Sequence, residues 1–127
     1  MTRTQRRTMV GALLVLHGLT HVSAGAWVSA ALPGSLAAPL WAVSIVGYLA
    51  AGLGMLGLPV ARDHWKAATV AGTTASLALL LAVHAGMVSI TGILIDVPLA
   101  IVALDMSQFP IDASAPRARS RTARRPR

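Results

Sequence analysis

The chain has 127 residues, of which 55% are apolar and 12% charged, with no cysteine and a net charge of +7. A soluble domain of this size usually carries about 25% charged residues, so the composition argues against one. The lack of cysteine excludes disulfides, thiolate metal sites and a cysteine nucleophile.

The amino end, residues 1–8, is a basic tail with Arg3, Arg6 and Arg7. The first apolar stretch follows and predicts a helix from about Thr8 to Leu32, spanning residues 9–32. Val28-Ser29-Ala30 resembles a small-residue cleavage site. However, the apolar run is longer than a signal h-region and contains His17 and His21, which favours an uncleaved helix. Pro33-Gly34-Ser35 breaks it, and Pro39 suits the start of a second helix over residues 39–58. Gly57 and Pro59 close that helix. Arg62 and Lys66 flank the next start, where Asp63 is a plausible N-cap for a third helix over residues 64–86. A tight turn around Ser89–Gly92 leads into a fourth helix over residues 90–106. Residues 107–127 are rich in Ala, Ser, Pro and Arg, cannot bury apolar area, and are expected to be disordered.

Four helices of about 20 residues match the ~30 Å core of a bilayer. All the Lys and Arg residues fall in the amino tail, the second connection and the carboxyl tail. The other two connections are uncharged, which is the positive-inside pattern. The expected fold is all-α: a four-helix, up-down-up-down transmembrane bundle with both termini cytoplasmic, in a bacterial-type plasma membrane. Trp27, Trp41 and Trp65 fall near the span ends, as interfacial aromatics do. The basic charge then fits anionic lipid headgroups, with Arg117, Arg119, Arg121, Arg124, Arg125 and Arg127 as the contacts, and not nucleic acid.

Small residues recur along the helices: Gly11, Gly18 and Gly25; Gly47, Ala51 and Gly54; Ala71, Ala78 and Ala85, with Ala67, Ala75 and Ala82 nearby. In lipid, close backbone approach over such residues holds helices together, and a seven-residue recurrence favours left-handed packing.

Four polar side chains stand out as a candidate pocket. His17 and His21 share one face of helix one, beside its glycines and deep in the membrane. An intramembrane ionisable group is a functional candidate by default; the plain alternative is a neutral imidazole bonded to a neighbouring hydroxyl or carbonyl. Asp96 is the one acid inside a span, and Pro98 nearby frees the carbonyl of Leu94. With the outer turn centred near residue 90, His84 and Asp96 come to one level and form a pair, above His17 and His21. The alternative places Asp96 in a solvated first turn. Ser23, Ser44, Thr73, Thr74 and Ser76 offer polar lining. His64 reads as a loop residue, and Asp105 and Asp112 as solvated partners of tail arginines. No cofactor is expected, although His17 and His21, with His84 and Asp96, form a set that suits a metal or haem. The segment His17-Gly-Leu-Thr-His21 lacks the glutamate of a metalloprotease motif.

The stretch Gly52-Leu-Gly-Met-Leu-Gly-Leu-Pro-Val-Ala-Arg62 and the following Trp65-Lys-Ala-Ala-Thr-Val-Ala-Gly72 resemble the middle of the DoxX-like group of small four-helix membrane proteins. His17, His21 and the segment Gly92–Pro98 depart from that pattern. The resemblance implies the four-helix architecture and an association with accessory subunits of membrane redox systems. The expected function is an accessory or assembly subunit, partnered by other membrane subunits or by copies of itself. The alternatives are a small membrane enzyme or lipophilic-ligand binder that uses His17, His21, His84 and Asp96 in acid–base work, and a haem or metal carrier.

Overall fold

Thr2 starts the first helix with a reciprocal cap. Its backbone N–H donates to Gln5 Oε1 at 2.8 Å, and the Gln5 N–H donates to Thr2 Oγ1 at 3.2 Å. This Thr-x-x-Gln capping box carries helix α1 back to Arg3, five residues before the expected start, and α1 spans Arg3–Ala31. The computed structural model describes residues 1–31, 34–83 and 87–105, with side chains for 1–23, 37–82 and 90–105. All its elements are helices. After α1 come α2 (Gly34–Leu56), α3 (Pro59–Arg62), α4 (Trp65–Val83) and α5 (Met87–Asp105). The segment 106–127, with its arginines, and Ala85 lie outside the described residues, as do the packing of Gly25 and the side chain of Trp27.

α2 begins at Gly34, so Pro39 sits inside the helix and does not open it. α2 stops at Gly57, whose φ of 102° is strained for any residue with a Cβ. The Gly57 N–H donates to the Gly54 carbonyl and the Leu58 N–H to the Leu53 carbonyl. This bond pair is a Schellman closure. Arg7 of α1 also donates to the Gly54 carbonyl, at 3.2 Å. Leu58 is extended, as a residue before proline should be, and Pro59 opens the short α3. Asp63 is the C-cap of α3 and not the N-cap of the next helix. The carbonyl of His64 accepts the first bond of α4, from the Ala68 N–H.

α1 packs on α2, α2 on α4, and α4 on α5, while α1 touches α4 and α5 sparingly. Neighbours run antiparallel. Gly11 lies against Gly52, Met55 and Leu56, and Gly18 lies against Tyr48 and Leu49. Gly47 faces Gly72, and Gly54 faces Trp65. A Cβ on Gly47 would lie 2.6 Å from the Gly72 Cα, so the α2 and α4 backbones touch there. Gly11, Gly18, Gly47, Ala51 and Gly54 therefore sit on packed faces, as expected. On α4 the expected alanine seam holds only in part: Ala75 is buried and Ala78 partly buried, but Ala67, Ala71 and Ala82 are exposed. Trp65, Thr69, Gly72, Thr73, Ser76 and Leu79 form the rest of the buried face. These recur at spacings of three and four, and the face is chosen by its hydroxyls.

Polar side chains are buried beside an apolar core, and large apolar ones face outward. Ser44, Thr69, Thr73, Ser76 and Asp96 are buried, whereas Leu16, Val46, Leu81, Leu94 and Ile101 are each at least 60% exposed. The buried hydroxyls are satisfied locally, Ser44 donating to the Leu40 carbonyl and Thr69 to the Trp65 carbonyl. Ala37–Leu56 and Trp65–Ala82, 20 and 18 residues, are long and apolar enough to cross a membrane. Trp65 opens α4 but is buried in the core with Val10, Leu14, Tyr48, Ala51, Met55 and Ala103.

Candidate functional site

α5 passes through Ser89–Gly92 without a turn. Gly92 is a packing glycine: a Cβ there would meet the Leu80 side chain at 2.7 Å. Asp96 faces Ser76 on the same helix pair. Both contacts are centred on residue 86, so the α4–α5 connection falls there and not near residue 90. That shift removes the geometric basis for pairing His84 with Asp96, and His84 itself lies outside the described residues.

Asp96 is the tenth residue of α5 and is fully buried, which rules out the solvated first turn. Its partner is His17 of α1, whose Nε2 meets Asp96 Oδ1 at hydrogen-bonding distance. His17 and Asp96 therefore share a level that the sequence reading had separated. His21, one turn further along α1, approaches the same carboxylate, and its Nε2 lies 3.3 Å from Ser76 Oγ. Its own carbonyl accepts a bond from Trp41 Nε1 at 2.7 Å, which fixes this turn of α1 against α2.

Tyr48 of α2 fills the middle of the cluster. Its ring packs edge-on to His17, with centroids 4.7 Å apart, and stacks on His21 at 5.7 Å and 9°. The two imidazoles are themselves edge to face at 5.0 Å. The Tyr48 hydroxyl donates to Thr73 Oγ1 at 3.2 Å and, with that of Ser76, lies near the Asp96 carboxylate. Even so, Asp96 Oδ2 is buried with no hydrogen-bond partner among the described residues. A buried carboxylate oxygen without a partner is costly, so a centre that leaves one open is suited to an occupant.

Three potential ligand atoms, from His17, His21 and Asp96, lie within 4.8 Å of one another. They come from two elements, α1 and α5, which otherwise touch little. Asp96 is fully buried, whereas His17 and His21 keep a small exposed edge, 12% of the side chain for His17. Of the expected polar lining, Thr73 and Ser76 belong to the centre, Ser44 is buried on its own helix, and Ser23 and Thr74 are exposed. The sequence reading missed Tyr48, the one tyrosine in the chain. Its signal was a phenol in the middle of an otherwise Gly-, Ala- and Leu-rich helix. Asp105 pairs with Arg6 at 3.5 Å, both side chains about half exposed, and Asp112 lies outside the described residues. No protein family, no curated protein and no solved structure matches the chain.

Proposed function

We propose that this chain is a four-span integral membrane protein that carries a polar binding pocket within the bilayer. The spans are α1, α2, α4 and α5. Both termini and the Arg62–Lys66 connection face the cytoplasm, across a bacterial-type plasma membrane. Large exposed apolar faces and an acid turned into the bundle support the membrane reading, because lipid tolerates apolar surface and ionisable groups within a span face the interior. The Arg6–Asp105 contact supports placing the start of α1 and the end of α5 on one side.

The pocket is formed by His17, His21, Tyr48, Ser76 and Asp96, and it takes the polar end of a lipophilic molecule. The observation that carries this reading is the buried Asp96 Oδ2 without a partner, beside a His17–Asp96 pair capable of proton transfer. The thin α1–α5 seam gives such a molecule a way in from the bilayer. Labelling with a lipophilic carbodiimide, which reacts with carboxyl groups reachable from the membrane, tests it. Asp96 is expected to carry an adduct that peptide mass spectrometry maps and that Asp96→Asn abolishes. An Asp96 that stays unlabelled would mean a sealed structural pair and would contradict the pocket.

A second reading, an accessory subunit of a larger membrane complex, is favoured by a different observation. A groove of about 360 Å³ on the outer face of α2 and α4 is lined by Ala42, Val43, Val46, Gly47, Ala50, Ala68 and Ala71. Small residues there admit close approach of another helix. Native sizing after mild-detergent extraction tests this reading, and a lone monodisperse monomer would contradict it.

A further inference from the structure

We infer that the intramembrane centre is a divalent transition-metal site, with His17 Nε2, His21 Nε2 and the Asp96 carboxylate as its ligands. The inference rests on the pocket reading and names what completes it. Two imidazoles and one carboxylate are a donor set that suits zinc, and also iron(II) or copper(II).

The geometry is close to that of a bound set. Tetrahedral zinc with bonds of about 2.1 Å holds its ligand atoms roughly 3.4 Å apart. Here the three candidate atoms already lie within 4.8 Å of one another. Binding would part the direct His17–Asp96 contact, which is closer than two ligands of one zinc, and would turn the His21 imidazole inward from its long 3.3 Å contact to Ser76 Oγ.

The second observation is independent of the spacing. Asp96 Oδ2 is buried and without a partner among the described residues. Two neighbouring hydroxyls, of Ser76 and Tyr48, face the carboxylate without satisfying that atom. A cation would satisfy it. The same hydroxyls would then support the ligands from outside, as second-layer groups commonly do. Three protein ligands leave a fourth position open, the arrangement of zinc sites that bind a further molecule. The pocket's lipophilic ligand would present its polar end at that fourth position.

His21 is the discriminating residue. It stands outside the His17–Asp96 pair, so His21→Gln removes a ligand while that pair remains. The experiment uses the full chain in detergent micelles, stripped with a chelator and then titrated with Zn²⁺ alone. One tightly bound zinc per chain is expected, weakened at least tenfold by His21→Gln and unchanged by His64→Gln in the exposed loop. Zinc is also expected to protect Asp96 of the unsubstituted chain from the lipophilic carbodiimide, a readout that needs no variant. Failure to bind stoichiometric zinc, equal binding by His21→Gln, or no protection of a labelled Asp96 would each overturn the metal site. An Asp96 that labels in the stripped chain but binds no zinc leaves the pocket reading standing without the metal. An Asp96 that never labels removes both.

Discussion

Tyr48 stacks on His21 and lies edge-on to His17, so one phenol ring on α2 fixes two imidazoles on α1. The ring acts as a spacer whose hydroxyl is held by Thr73 of α4. Three helices thus converge on a residue that carries no charge of its own. Tyr48→Phe keeps the ring and removes only the hydroxyl, for an expected loss of about 1 kcal/mol. Tyr48→Ala removes a fully buried ring and is expected to lose about 3–5 kcal/mol. Unfolding in mixed micelles checks both, and equal losses would mean that the ring is not the spacer.

The α2–α4 crossing makes a second, sharper prediction. A Cβ on Gly47 would meet the Gly72 Cα at 2.6 Å and its N at 2.7 Å, backbone atoms that cannot turn aside. A Cβ on Gly18 would meet only Leu49 and Tyr48 side-chain atoms, the closest at 3.2 Å. Gly47→Ala should therefore destabilise by about 1–3 kcal/mol and Gly18→Ala by clearly less. The same micelle assay reads the order, and the reverse order would refute this packing.

How far the sequence could be read depended on where its signals were local. The helices themselves and the Gly57 stop follow from apolar runs and punctuation. So do the packed faces around Gly11, Gly18 and Gly47. The capping box at Thr2 and Gln5 is equally local, but the arginines beside it give that segment the look of a tail. The partner of Asp96 was a different matter. Ser89 and Gly92 look like turn residues, yet Gly92 is there to admit Leu80. Reading them as a turn makes His84 the α4 residue opposite Asp96, whereas the α4 residue beside it is Ser76. Those two positions are eight residues, or about 12 Å, apart along a helix. The choice of His17 as the true partner depends on how α1 and α5 meet, and no local pattern encodes that. The α4 face is only half legible for a related reason: alanines are common on every face, and Ala75 is buried while Ala67, Ala71 and Ala82 are not.

Topology is open to a clean test because the chain has no cysteine. Single introduced thiols report their own side of the membrane. Ser35→Cys is expected to react with a membrane-impermeant maleimide added to intact cells. Ser107→Cys is expected to react only after the cells are opened. Labelling of Ser107→Cys from outside would reverse the orientation, and labelling of both would break the four-span account.

The central claim is that His17 and Asp96 form a coupled pair inside the membrane domain, and a double-mutant cycle measures it. His17→Ala, Asp96→Ala and the double variant are unfolded in mixed micelles. Removing one member leaves the other buried without its partner, which costs more than removing both. The predicted coupling is about 1–2 kcal/mol, at the upper end for polar contacts within membranes. Additive losses, with coupling near zero, would contradict the pair and with it the reading of this centre as the functional site.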